Sequence, residues 1–327
     1  MNIVLLSGGS GKRLWPLSSD VRSKQFLELF KRNDGSRESM LQRMYNMLRE
    51  VDNSARVTIA TSEKQVAYIK KQLGNDVSIS IEPCRRDTFP AIALATAYLH
   101  DVQNVKSDDA VVICPVDPYA ELDYYNMLNN LYMQALKNEA NLVLMGIKPT
   151  YPSEKYGYII PKSLNRISEV ECFIEKPDIE RAKKYIKQGA LWNSGVFAYR
   201  LGYVLDISKR IFGTSDYKYM YENYNLFSKI SFDYEVAEKE KKIQVMLFSG
   251  IWKDLGTWDA LTSIIDEKII GNAVIEKCEN THIINELDIP IVGLGVKDLA
   301  IVATSEGILV INKKDSDKLK KCVDSIL

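Results

Sequence analysis

The chain has no net charge, no long apolar run and almost no histidine. Among its 327 residues, 43 lysines and arginines face 43 aspartates and glutamates. No global field draws such a chain to nucleic acid or an anionic membrane, so any anion site must be local. No apolar stretch approaches the roughly 18 residues that would span a bilayer, and the start lacks the basic flank and apolar core of a secretory signal. The five cysteines, Cys84, Cys114, Cys172, Cys278 and Cys322, are odd in number and widely spaced. That spacing excludes a metal-binding or redox pair and points to reduced thiols in the cytoplasm. Only two histidines are present. His100 reads as a helix-end residue and His282 as part of a C-terminal β region, and neither is expected to be catalytic. A linker rich in glycine or proline is also missing, so the parts of the chain are expected to pack rigidly.

What is present gathers at the start. Asn2–Leu6 is a short apolar run of strand type, ending abruptly in Ser7-Gly8-Gly9-Ser10-Gly11-Lys12-Arg13. A strand feeding a glycine-rich turn is how α/β proteins wrap backbone N–H groups around a phosphate. Lys12, Arg13 and Lys24 bring cations to the same neighbourhood. Two familiar phosphate loops are excluded. A Walker loop needs glycine where Leu6 stands and serine or threonine where Arg13 stands, and a dinucleotide fingerprint needs its third glycine at Leu14.

Apolar runs of strand type then alternate with helical segments. Arg56–Ala60, Val77–Ile81, Ala110–Cys114 and Leu142–Gly146 read as strands, and residues 40–50, 62–72, 90–100 and 126–139 as helices. The succession predicts an α/β fold, a Rossmann-like, doubly wound and mostly parallel sheet, over residues 1–267. From residue 268 the pattern changes. Ala273–Ile275, Ile289–Val292, Leu299–Val302 and Gly307–Ile311 are short strands at near-regular spacing, a small β-rich unit over 268–327 with the look of a few β-helical turns, closed by a helix from Ser316.

In an open parallel sheet, ligands sit beyond the carboxyl ends of the strands. Asp117 lies there, directly after the Ala110–Cys114 strand, and Asp254 stands between Trp252 and Trp258 beside Gly256. A lone aspartate after a strand is more often a turn former or helix cap. Two on separate strand ends can share one Mg²⁺ and leave its other positions to phosphate and water.

With these residues in view, the chain resembles the sugar-nucleotide pyrophosphorylases, most closely the mannose-1-phosphate guanylyltransferases. The carriers are Gly8–Ser18, Lys24–Leu27, Glu82–Ile92, Tyr156–Ile159, Phe173–Pro177, Trp192–Phe197, Phe232–Tyr234 with Glu238-Lys239, and the Trp252–Trp258 stretch. Gly271-Asn272 and Gly295–Leu299 extend the likeness through the tail. Two positions depart from the family pattern: Pro118 stands where it has histidine, and Asp87 where it has asparagine. The chain also ends near Leu327, without the isomerase domain of longer relatives, so that second activity is expected to be missing.

The resemblance implies attack by a sugar-1-phosphate oxygen on the α-phosphorus of a nucleoside triphosphate, GTP in the leading case, with release of pyrophosphate. Because the nucleophile is already an anion, positioning and charge neutralisation are what the protein must supply. The nucleotide is expected at Gly8, Gly9, Ser10, Gly11, Lys12, Arg13, Arg86, Asp87, Thr88 and Asp117. Arg13 and Lys24 would stabilise the departing pyrophosphate, and Asp117 and Asp254 would hold Mg²⁺. The resemblance places the sugar phosphate at Lys176, with Tyr156, Gly157, Glu175 and Asn193 around the sugar and Trp258 as a pocket wall. Asp87 is expected to accept the N1–H and N2–H₂ groups of guanine. Without the resemblance, Glu175 and Lys176 would read as a surface pair and the tryptophans as core anchors. Alternatives are a transferase for another sugar-1-phosphate or another base, and a regulatory protein that binds sugar nucleotides without turnover. The tyrosine-rich run from Tyr217 to Tyr234 reads as packing, and the β-rich tail allows a homodimer.

Overall fold

A computed structural model describes residues 1–8, 12–32 and 34–325. Its centre is a nine-stranded sheet. The spatial order is Ser78–Glu82, Arg56–Ser62, Asn2–Leu6, Ala110–Pro115, Leu191–Arg200, Leu142–Ile147, Ile243–Phe248, Ile167–Ile174 and Tyr158–Pro161. The first four are parallel, as expected from their near-continuous apolar sequences, and Ile3, Val4, Leu5 and the whole Ala110–Cys114 run are fully buried. Beyond them the expectation of a mostly parallel sheet is corrected. Leu191–Arg200 inserts antiparallel between Ala110–Pro115 and Leu142–Ile147, and Ile167–Ile174 pairs antiparallel with both its neighbours. The sheet is therefore mixed. Alternation explains why: Ile167–Ile174 buries Ser168, Val170 and Phe173 and exposes Glu169 and Glu171, a one-face pattern that a doubly covered parallel strand lacks.

Helices cover both faces. Thr88–Asp101 is buried along most of its length by its alanines, while Met40–Val51 opens on a capping box in which Ser39 and Gln42 bond each other's backbone. The fourth expected helix runs Leu122–Leu136 instead of 126–139. Leu122 extends it toward the Asp117 turn, and it stops before the polar run Asn138-Glu139.

In the C-terminal region, Ile269–Ile270, His282–Asn285 and Leu299–Thr304 pair in parallel, and Gly307–Asn312 adds antiparallel to the last. A second parallel pair is Ala273–Glu276 with Ile291–Leu294, which starts one residue after Pro290, where a missing N–H costs the ladder nothing. These strands do not stand apart from the rest. One buried cluster joins Leu14, Leu17, Trp258 and Leu261 to Ile284, Val302, Leu309, Leu319 and Val323.

His282 anchors this region. The buried Lys313 ammonium donates to Asn280 Oδ1 at 2.8 Å and reaches His282 Nδ1 at 2.9 Å, so Nδ1 must be the accepting, unprotonated nitrogen. Burial, then the charges of Lys313 and Lys268, push the imidazole down to about 4. The unfolded chain takes up that proton near pH 6.5 and the folded one only near 4, so the contribution is complete above the first value and drains away as pH falls toward the second. The loss over that window is on the order of 3 kcal/mol. Urea midpoints measured from pH 7 to 4 should fall more steeply for the natural chain than for His282→Gln; equal slopes would refute the assignment.

Candidate active site

The carboxyl ends of the parallel strands open on a cleft of about 600 Å³. Leu6 ends the first strand in it and Gly8 follows, Glu82 ends the Ser78–Glu82 strand, and Pro115 ends Ala110–Pro115 with Val116 and Asp117 behind it. Leu191–Arg200 runs the other way, so its beginning reaches the same end and puts Gly195 against Pro115. Gly195 has φ +74, and a Cβ there would lie 3.1 Å from the Pro115 ring. Glycine is required on both counts.

A second cleft of about 210 Å³ adjoins the first, and the two share Asp117, Gly195 and Asp233. Its lining adds Lys155, Tyr156, Gly157, Glu175, Lys176, Asn193, Trp252 and Asp254. Where they meet, Trp252–Asp254 pairs antiparallel with Pro118–Ala120, with Asp254 opposite Pro118. That small ribbon brings the two expected carboxylates together. Lys24 Nζ lies 3.1 Å from Asp117 Oδ2 and 3.6 Å from Asp254 Oδ1. Asp254 Oδ1 is buried without a hydrogen bond, and a Cβ on Gly256 would stand 3.2 Å from both Arg13 Nη1 and Asp254 Oδ1, so glycine keeps the space between these two side chains clear.

The donor set suits a hard divalent cation. Two carboxylates offer oxygen only, and among the described residues no group of three or more acidic, cysteine or histidine side chains is placed to hold a metal ion. A cation there would take its remaining ligands from phosphate and water, the habit of Mg²⁺.

Lys24 is rooted in a buried polar network. Gln25 donates to Ser7 Oγ at 3.1 Å, Gln65 donates to Ser23 Oγ at 2.7 Å, and Thr61 donates to Gln65 Oε1 at 2.8 Å. These bonds fix the Lys24–Phe26 turn under the first strand, and the ammonium projects from it to the carboxylates.

In the second cleft, Glu175 is 5% exposed along its side chain and pairs with Lys176 Nζ at 2.8 Å. Its Oε2 is buried with no partner and lies 2.5 Å from where a Gly157 Cβ would stand, so only glycine fits opposite it. Lys176 has φ +44, a left-handed conformation that a lysine holds at a cost and that aims the turn after Ile167–Ile174. A register shift between Asn193 and Phe197 turns Asn193 inward, where Nδ2 donates to Asp233 Oδ1 at 2.7 Å and Oδ1 accepts from Gly195 N–H at 3.0 Å. Both ends of that amide are thus held by the protein. Asp233 opens a π-helical turn, Asp233–Ala237, and burial, then the Glu175 charge, push its carboxyl up to about 7. Such turns recur at functional sites.

Two expected contacts are corrected. Trp258 is fully buried among Leu14, Leu255 and Leu261, so it walls no pocket; the second cleft is faced by Trp252, which meets Tyr156 edge to face, and Tyr156 lies tilted against Trp192 in turn. The hydrophobic helix that Trp258 begins draws it into the core. Arg86 is absent from the lining of the larger cleft and donates to the Asn225 carbonyl, and Arg85 lines the cleft instead. Asp87 and Thr88 do line it. Asp87, at φ +69, accepts the Thr88 N–H as the cap of the following helix, and Thr88 Oγ1 accepts from Phe232 N–H at 2.8 Å. Gly8 lines the larger cleft, and Arg13 is exposed beside Gly256 and in the lining of neither cleft, whereas Gly9, Ser10, Gly11 and the Lys12 side chain lie outside what is described. His100 pairs with Asp101, and neither histidine lines a cleft.

Sequence reasoning missed Glu82 and Asp233 as site residues. Glu82 receives the Tyr224 hydroxyl at 3.0 Å, and burial pushes its carboxyl up to about 7. A carboxylate at a strand's carboxyl end was the signal available for Glu82; Asp233 had none beyond its motif.

The arrangement defines a nucleotide-binding α/β protein with an adjoining cleft for a second anionic ligand. The nucleotidyl transferase family model matches residues 2–269. The chain is 31% identical to a mannose-1-phosphate guanylyltransferase of Klebsiella pneumoniae, over 98% of this chain and 73% of that one. It is also 31% identical to the xanthan biosynthesis protein XanB of Xanthomonas campestris, over 99% of this chain and 72% of that one. A crystal structure from Thermus thermophilus, described as a mannose-1-phosphate geranyltransferase, superposes with a TM-score of 0.83 at 27% identity, covering 99% of this chain and 98% of that one. The chain belongs to the nucleotidyl transferase family and, within it, to the group of the mannose-1-phosphate guanylyltransferases. Among the described residues, no helix is long and apolar enough to cross a membrane.

Proposed function

We propose that the protein transfers a guanylyl group from GTP to α-D-mannose 1-phosphate, giving GDP-mannose and pyrophosphate. The observation that carries this reading is the meeting of two clefts at Asp117, with Asp254 and Lys24 beside it. The larger cleft takes the nucleotide, with Gly8 at the triphosphate and Arg13 and Lys24 neutralising the departing pyrophosphate. The smaller takes the sugar phosphate. Lys176 pairs with its phosphate, and the unpartnered Glu175 Oε2 accepts a sugar hydroxyl. Asn193, held by Asp233 and Gly195, keeps the sugar on the line of attack. Asp117 and Asp254 would hold Mg²⁺, and the ion would supply Lewis-acid stabilisation of the charge that develops on the phosphates. No general base is required, since the attacking phosphate oxygen is already ionised.

Selection of the base is assigned to Glu82 in place of Asp87. Asp87 Oδ1 caps the following helix, whereas Glu82 ends its strand in the cleft and, with Oε2 accepting the Tyr224 hydroxyl, keeps Oε1 and its remaining lone pairs for N1–H and N2–H₂ of guanine. A buried pair of such bonds discriminates strongly, because the wrong base leaves a carboxylate unpaired. Glu82→Gln is expected to lower kcat/KM for GTP by about 100-fold and to narrow its lead over ATP, with Asp87→Ala leaving the preference in place. An unchanged preference in Glu82→Gln would overturn this assignment.

The same reading divides the chain into a catalytic domain, 1–267, and a C-terminal domain, 268–327. The parallel pairings of the latter fit a short β-helix. Its exposed Val274, Val292 and Leu294 suit a homodimer contact, and five free cysteines suit the cytoplasm. The direct test is pyrophosphate release with Mg²⁺ over a grid of nucleoside triphosphates and sugar-1-phosphates. GTP with mannose 1-phosphate should dominate. Another pair dominating would reassign the substrate, and silence throughout would refute the transferase reading.

A further inference from the structure

The segment that carries Arg13 and Lys24 is fastened at both ends to the C-terminal strands. Near Arg13, the Trp15 ring lies on the bare backbone of Gly307, which opens the Gly307–Asn312 strand directly after the tight turn from Leu299–Thr304; a Cβ on Gly307 would stand 2.6 Å from the ring. Thr304 Oγ1 donates to the Pro16 carbonyl at 3.4 Å, and Leu14 and Leu17 share a buried cluster with Leu309, Leu319 and Val323. Near Lys24, the Arg22 guanidinium makes a two-pronged pair with Glu286, at 2.9 and 2.8 Å. Glu286 is itself fixed, since its N–H donates to the Ala303 carbonyl in the next strand. From this doubly tethered segment Lys24 reaches Asp254 and Arg13 reaches the neighbouring Gly256.

We propose that the C-terminal strands act as the outer jaw of the catalytic clamp, with Gly307 and Glu286 as positioning residues for Arg13 and Lys24. The inference rests on the transferase reading above. Neither residue touches a cleft, and they act through Trp15 and Arg22. A two-pronged pair between a guanidinium and a carboxylate fixes orientation as well as distance, which a single ammonium contact would not. Misplacement of a charged group by about 1 Å is enough to cost up to 100-fold in rate. The effect should fall on the chemical step, because the groups being held face the triphosphate, whereas the sugar-side cleft is built from Tyr156, Glu175, Lys176 and Asn193 on other elements.

The test is a charge exchange across the fastening. Glu286→Arg is expected to lower kcat about 5- to 10-fold, with KM for the sugar-1-phosphate within twofold of the natural enzyme. The exposed site should leave the thermal midpoint nearly unchanged. Arg22→Glu should do the same, and the double exchange Arg22→Glu/Glu286→Arg should return kcat to within twofold. Gly307→Ala, which forces Trp15 aside, supplies an independent second reading with the same kcat-selective loss. The proposal is overturned if Glu286→Arg keeps full kcat, or if the exchange restores nothing. Activity of the natural enzyme in the same assay separates that failure from failure of the transferase reading.

Discussion

Replacing Asp254 by asparagine should lower kcat by about 100- to 1,000-fold while the protein stays folded. The side chain is isosteric and keeps an oxygen on the same backbone, so the ribbon with Pro118–Ala120 is undisturbed. What disappears is a charge. In the natural chain Asp254 Oδ1 is buried with no hydrogen bond and held 3.6 Å from the Lys24 ammonium. An oxygen left in that state is costly unless a ligand satisfies it. A divalent cation carrying nucleotide phosphate is the ligand that fits, and an amide oxygen holds such a cation poorly. Loss of an aimed charge in a site of this kind removes about 3 to 4 kcal/mol of transition-state stabilisation, hence the expected range. The metal concentration needed for half-maximal rate should rise in the same variant. Turnover within tenfold of the natural enzyme would dismiss Asp254 as a metal ligand.

Arg13→Ala is expected to cost about 100-fold in kcat, with KM for the sugar-1-phosphate nearly unchanged. Arg13 is exposed, with Nη1 3.2 Å from where a Gly256 Cβ would stand, two residues past Asp254. Removing it takes little packing with it, so a thermal midpoint close to that of the natural chain should accompany the kinetic loss. The guanidinium serves charge that grows as pyrophosphate departs, so its absence is felt most in the transition state. Arg13→Lys should recover only part of the rate, because an ammonium cannot make two parallel bonds to a phosphate. The decisive measurement is single-turnover kinetics. A loss confined to KM for the nucleotide would show that Arg13 serves binding alone.

Much of this was readable from the sequence, for a physical reason. The strands of the parallel half are continuous apolar runs, and a doubly covered sheet leaves no other place for them, so Asn2–Leu6 and Ala110–Pro115 and the residues at their carboxyl ends could be placed from pattern. The antiparallel half was less legible. Leu191–Arg200 has no alternation that reveals its direction, and only pairing shows that it enters the sheet reversed. That reversal is what brings Asn193 and Gly195 to the cleft. The exchange of Trp258 for Trp252 has a similar cause. Both flank Asp254, and sequence distance cannot tell which faces the ribbon and which starts a buried helix. Asp233 was hidden because a π-helical turn has no sequence period to announce it. The choice between Arg85 and Arg86 hung on a contact with Asn225, far along the chain.

The short ribbon of Pro118–Ala120 with Trp252–Asp254 also sets an order of assembly. Asp117 belongs to the first half of the chain, and Asp254 arrives only after the whole antiparallel half of the sheet has been laid down. Pairings between such distant segments are the slowest to close, because the intervening loop must be organised first. The carboxylate pair therefore cannot exist in a growing or truncated chain that stops short of residue 254, even one whose parallel strands have already formed the nucleotide-side floor. Competence for the reaction thus becomes a late-acquired property of the nascent protein.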